Sequence, residues 1–156
     1  MHKVYPKFSD RNLVLKLDLF IPSVGIEARL SDYHTFLMSY QPGYIFNQHN
    51  NEPTKFYIVN QIRASIRYFY TVDKFIEKGK RTDKFAGNFF TVFAMIGNST
   101  AVTPSFFIVG PAWGLQRNLG EKFQFSFEAG VGYTSAASAT PLPLTAAVDL
   151  KLGLAL

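Results

Sequence analysis

The chain is 156 residues long, enough for one domain, with a net charge of +5 but only 17% charged residues against 47% hydrophobic. Nowhere do eighteen apolar residues run together, which excludes a membrane-spanning helix but not a spanning barrel, whose lumen-facing residues dilute the apolar ones. The absence of cysteine removes disulfide and thiolate chemistry. The cations lie among alternating segments and in one mixed-charge stretch rather than on a basic helix, so nucleic acid is not an expected partner.

Residues 1–11 carry little pattern beyond Tyr5, Pro6 and Phe8 and read as an N-terminal lead-in. No apolar h-region follows Met1-His2-Lys3, so a secretory signal is expected to have been removed. From residue 12 to residue 156 the pattern is that of one domain. Leu13, Leu15, Leu17 and Leu19 alternate with Val14, Lys16, Asp18 and Phe20, a period of two that means a strand with one apolar face. Pro22-Ser23 turns the chain into a second strand, Val24 to Leu30, and Ser31-Asp32 into a third, led by Phe36, Met38 and Tyr40 toward Pro42-Gly43-Tyr44. Residues Asn47 to Lys55 are polar and read as the first long loop.

Strand four sets Ile62, Ala64, Ile66, Tyr68 and Tyr70 against Gln61, Arg63, Ser65 and Arg67. The stretch Asp73 to Lys84 is charged with both signs and reads as a loop. Strand five, about Phe85 to Ile96, has apolar residues on both faces. Strand six runs from about Ser105 to Gln116, and Pro111 within it predicts a bulge or irregular pairing. Asn118-Leu119-Gly120-Glu121 then turns a hairpin whose first strand ends near Arg117 and whose second places Phe123, Phe125, Phe127, Ala129, Val131 and Tyr133 on one face. After a loop from Ser135 to Pro143, strand eight alternates from Leu144 to Leu156.

A repeat supports the count of eight. Glu27 to Tyr44 aligns without gaps on Gln116 to Tyr133, pairing Leu30 with Leu119, Phe36 with Phe125 and Gly43-Tyr44 with Gly132-Tyr133. Two such hairpins four strands apart suit an antiparallel up-and-down barrel with short connections.

The polar face decides which way the barrel points. It carries Lys16, Asp18, Glu27, Arg29, Arg63, Arg67, Glu128, Asp149 and Lys151, nearly balanced in sign and interleaved with Gly110, Gly114, Gly130, Gly132 and Gly153. Small residues beside long charged ones fit the bore of an eight-stranded barrel, so these nine residues are expected to form a lumen polar network. The other face is bulky on nearly every strand and suits strands of about 9–11 residues crossing hydrocarbon. Tyr44, Tyr68, Tyr70, Trp113 and Tyr133 are candidates for an aromatic girdle.

In LVLKLDLF, RYFY, the GPAWGLQRNLGEKF hairpin and the terminal VDLKLGLAL, the chain resembles small outer-membrane β-barrel proteins of Gram-negative bacteria, of the eight-stranded OmpA/OmpX-like type, from about Asn12 onward. The terminal strand is similar to a barrel-assembly signal, although such signals commonly end in an aromatic residue and this one ends in Leu156. The resemblance implies an all-β, eight-stranded antiparallel transmembrane barrel in the outer membrane. Its implied partners are outer-membrane lipid, the barrel-assembly machinery acting through the C-terminal strand, and an envelope protein.

Catalytic chemistry would have to come from three histidines. His34 with Ser39 and a strand carboxylate is the nearest approach to a hydrolase set, but no spacing compels it, and His34 reads better as an exposed turn residue. His49 near Glu52 is too sparse for a metal site. Gly79-Lys80 lacks the rest of a phosphate loop. The expectation is therefore a non-enzymatic outer-membrane protein without cofactor or metal, its lumen filled by side chains, serving a structural or partner-binding role. The alternatives are a soluble lipocalin-like carrier of an apolar ligand and a lipid-modifying enzyme.

Overall fold

The computed structural model describes residues 11–47, 55–99, 106–134 and 144–156. It contains eight strands: β1 (Leu13–Asp18), β2 (Ser23–Arg29), β3 (His34–Asn47), β4 (Lys55–Phe69), β5 (Gly87–Ser99), β6 (Phe106–Leu119), β7 (Phe123–Thr134) and β8 (Leu144–Ala155). Each pairs antiparallel with the next, and β1 pairs with β8, so the sheet closes into an up-and-down barrel. Closure satisfies the two edges that an open sheet would leave bare.

The repeat seen in the sequence is a repeat of register. Glu27 faces Leu37 across β2–β3, and the equivalent Gln116 faces Ser126 across β6–β7. The two hairpins stand on opposite sides of the ring, which aims Glu27 and Gln116 at each other across the bore. The strands are strongly tilted. Following partners from Leu15 through Ile26, Met38, Ala64, Ala94, Val109 and Tyr133 leads to Leu144, whereas Leu15 itself bonds Leu156, twelve residues further along β8.

Four expectations are corrected. Strands are not uniformly long: β3 to β8 have between 12 and 15 residues, but β1 has 6 and β2 has 7. Their turn spans Leu19 to Pro22, closed by a hydrogen bond from Ser23 Oγ to Asp18 Oδ2. The mixed-charge stretch after β4 is not a plain loop, for it holds helix α1 (Val72–Glu77) and a 3-10 turn (Asp83–Phe85), and Val72, Phe75 and Ile76 have the spacing of one helical face. Phe85 belongs to that connection rather than to β5, and β6 continues to Leu119 beyond Arg117. The irregular pairing expected at Pro111 is present, without a bulge. Val109 pairs with Tyr133 and Ala112 with Gly130 in one register, and the ladder skips Gly110 and Pro111 between them. The strands close up there, since a Cβ on Gly130 would collide with the Pro111 carbonyl.

Burial separates the faces. On β8, Leu144 and Val148 are 65% and 70% exposed, whereas Lys151 between the outward leucines is 7% exposed. The ambiguous β5 resolves into Phe89, Thr91 and Phe93 inside and Phe90, Val92 and Ile96 outside. At one mouth, Phe85 joins Val14, Phe69, Val72, Phe89 and Ala155 in a buried apolar cluster. The loops expected at Asn47 to Lys55 and Ser135 to Pro143 fall mostly or wholly outside the described residues, as do the lead-in up to residue 10, His49 and Glu52.

Candidate functional site in the barrel lumen

The alternation that sends leucines outward sends the charges of the same strands inward. Lys16 and Glu27, on neighbouring β1 and β2, form an ion pair, and the Thr35 hydroxyl donates to Glu27 Oε1 at 2.6 Å. Arg67 on β4 reaches across to Glu27 at 3.5 Å and to Glu128 on β7 at 3.2 Å. Arg63, four residues higher on β4, pairs with the same Glu128 and lies 3.4 Å from Asp149, which Lys151 also approaches at 3.3 Å. Seven of the nine expected residues, Lys16, Glu27, Arg67, Glu128, Arg63, Asp149 and Lys151, thus form a chain of alternating sign with Lys16 at its foot. Asp18 instead closes the β1–β2 turn, and Arg29 lies half-buried at the other end with Nε and Nη2 unpartnered among the described residues.

Two groups that charge patterning misses complete the layer. Gln116 is fully buried at the centre, where its Oε1 accepts from Lys16 Nζ at 2.7 Å and Arg67 Nη1 at 3.0 Å. Phe93 and Phe89 lie under the guanidiniums of Arg63 and Arg67, 4.3 and 4.5 Å from their ring centres. Gly114 leaves the room that the Phe89 ring takes, since a Cβ there would overlap it. Beside Lys16, Ser39 and Lys151 the remaining cavity is about 10 Å³, the space of roughly one water.

The connection between β4 and β5 seals the mouth beneath this layer. Gln116 Nε2 donates to the carbonyls of Lys84 and Phe85 at 3.2 and 2.9 Å, and Gln124 Nε2 donates to the Lys84 carbonyl at 2.9 Å. The Lys84 ammonium in turn donates to the carbonyls of Glu121 and Ala155. These bonds hold Lys84 and Phe85 at φ 53° and 61°, a left-handed pair that costs non-glycine residues about 1–3 kcal/mol each. Arg81 binds Asp83 at 2.8 Å and the Gly120 carbonyl at 3.0 Å, pinning the segment to the β6–β7 turn. Burial raises the Asp83 pKa, but hydrogen bonds and charge from Arg81 outweigh it and hold the carboxyl below its ordinary range. Hydrogen bonding to Asp73 raises the Tyr33 phenol on the same rim.

The hydrolase set does not assemble. Ser39 is buried inside the bore, while His34 is exposed on the opposite face of β3 and shares a hydrogen bond with Ser31 at 2.8 Å, a local turn contact. Among the described residues no cluster of three potential ligands could hold a metal ion. Of the aromatic set, Tyr68, Tyr70 and Tyr133 are exposed on the outer wall and Trp113 is half-buried there, its indole N–H donating to the Tyr70 hydroxyl at 2.8 Å. The Tyr44 side chain lies outside the described residues. No family model, curated protein or solved structure matches the chain.

Proposed function

We propose that the protein is a non-enzymatic outer-membrane barrel of a Gram-negative bacterium, anchored by its wall and stiffened by a filled lumen, with a structural or partner-binding role. The observation that carries this reading is the inverted polarity of the fold. Large apolar side chains such as Leu13, Ile26, Met38, Ile66, Val92 and Val148 are exposed on the outer wall, while the ionic groups are buried within. In water such a wall would be an apolar surface far larger than the few hundred Å² a monomer exposes; in hydrocarbon it needs no cover. A soluble carrier of apolar ligand would require the opposite arrangement.

In the usual topology of such barrels both termini face the periplasm. The sealed mouth is then periplasmic and the Asn47 to Lys55 and Ser135 to Pro143 segments are external. Strand β8 is the part offered to the barrel-assembly machinery, and the external segments are where an envelope partner would bind. Refolding into lipid vesicles tests the reading. The folded form should resist carbonate extraction and run at a different gel position until boiled. A chain that stays monomeric in solution without detergent would defeat it.

A further inference from the structure

Three rows of side chains climb the outer wall across β4, β5 and β6. Leu115 stands beside Asn88, Trp113 beside Phe90 and Tyr68, and Pro111 beside Val92 and Ile66. The rings of the middle row stand taller than Val92 and Pro111 above them, which leaves an apolar cleft of about 380 Å³. Its floor is the backbone at Thr91 and Ala112, whose side chains are buried on the lumen side.

Below the lowest row, at the rim, two cations converge on one ring. Lys80 Nζ lies 5.2 Å and Arg117 Cζ 4.8 Å from the centre of Phe75. Arg117 donates Nη2 to Asn88 Oδ1 and Nη1 to the Gln116 carbonyl, leaving three of its five N–H groups unused among the described residues. Arg81 on the same connection is bound to Asp83, but neither Lys80 nor Arg117 is in an ion pair among the described residues. Like charges held on one ring repel, and an anion bridging them removes that repulsion. Between the cations and the cleft, Trp113 donates its indole N–H to the Tyr70 hydroxyl, and the Tyr70 ring stacks on Phe90 at 5.0 Å. Such rings with polar tips suit the boundary between headgroups and hydrocarbon. From Arg117 to Pro111 is about 20 Å of strand, or about 15 Å of height at the usual tilt, the depth of one leaflet.

We infer that this flank binds one anionic phospholipid of the periplasmic leaflet, an inference that rests on the proposed membrane reading. Arg117 and Lys80 hold the phosphate, and one acyl chain passes Trp113 and lies in the cleft between Phe90 and Pro111. Phosphate supplies the bridging charge, and the cleft supplies a seat that a free anion would not use.

Trp113 is the chain's one tryptophan, so its fluorescence reports on this flank. The protein is refolded into phosphatidylcholine vesicles holding a small fraction of phosphatidylglycerol, with bromine, which quenches indole on contact, on the acyl chains of one lipid or the other. Each cation should add about fivefold in affinity for the anionic lipid, so brominated phosphatidylglycerol should quench at least tenfold more effectively per molecule. Lys80→Gln with Arg117→Gln should abolish that preference, and Arg117→Lys, which keeps the charge, should retain most of it. Val92→Phe fills the cleft and should lower the preference several-fold, whereas Ala28→Phe, in a separate outer cleft over Met38, should not. The gel shift on boiling confirms that each variant folds. Equal quenching by the two lipids overturns the site and leaves the membrane reading intact; no quenching by either removes both. A preference that survives the double glutamine variant or Val92→Phe overturns the assignment to these cations or to this cleft. Loss with Arg117→Lys as complete as with Arg117→Gln would make Arg117 a packing residue rather than a phosphate ligand. Millimolar inorganic phosphate should leave the quenching unchanged; relief by phosphate would show a site for the free anion and overturn the lipid.

Discussion

Arg67 is where the charges of the two hairpins meet, because it alone among the described lumen cations touches both Glu27 and Glu128. It is 2% exposed, so its removal strands buried charge rather than handing it to solvent. Arg67→Ala should destabilise the barrel by about 3–5 kcal/mol, measured by urea unfolding in detergent, and adding Glu128→Gln should restore part of the loss. An unchanged midpoint would mean the layer is hydrated and the pairing weak. Gln116→Leu should cost about 1–3 kcal/mol, chiefly by removing the donor to the Phe85 carbonyl, because the Lys84 carbonyl keeps its bond from Gln124. The two residues differ in how readable they were. Arg67 announces itself as a charge on an alternating strand, whereas Gln116 sits on the same periodic face but is indistinguishable in sequence from a solvated glutamine. Phe89 and Phe93 were unreadable for the opposite reason, since β5 is apolar on both faces and only the glycines paired with them on the adjacent β6, Gly114 and Gly110, tell which rings go in.

Strands were legible because a period of two survives on all of them, and even their mutual register was latent in the gapless hairpin repeat. The β4–β5 connection was not, because its order comes from tertiary contacts to distant strands rather than from its own composition. Phe85 is fully buried, and Phe85→Ala should cost about 3–5 kcal/mol and deprotect residues 71–86 to hydrogen exchange before any strand. A pH dependence belongs to the same element. The folded-state pKa of Asp83 lies below its unfolded value, so its bonds to Arg81 add stability that is fully present above the ordinary carboxylate range and is lost as pH falls through the folded value. Protection factors in residues 71–86 should therefore fall in acid while those of β3 to β8 hold, and Asp83→Asn should abolish that acid dependence. A connection equally protected at every pH would place its stability in the apolar cluster alone. Strand length was the other failure: the alternation of Leu17 and Leu19 runs on past Asp18, but Pro22 and the Ser23 bond to Asp18 fold it back.

At the scale of the molecule, the bore is closed twice by independent means. The connection seals one mouth with Phe85 and its hydrogen bonds, and the charged layer with Phe89 and Phe93 fills the middle, so neither alone decides whether ions pass. In planar bilayers the intact protein should show no steady conductance. Replacing residues 72–85 by a short glycine-serine turn should leave it silent, since Arg63, Arg67, Glu27 and Glu128 still span the bore. Opening should need both changes: the shortened connection combined with Arg67→Ala and Phe93→Ala. That removes the guanidinium crossing the layer and the ring packed beneath Arg63. If the shortened connection alone conducts, the charged layer is a hydrated filter rather than a filling, and the mouth is the only barrier. If the combined variant folds by its gel shift yet stays silent, the upper lumen must be obstructed as well.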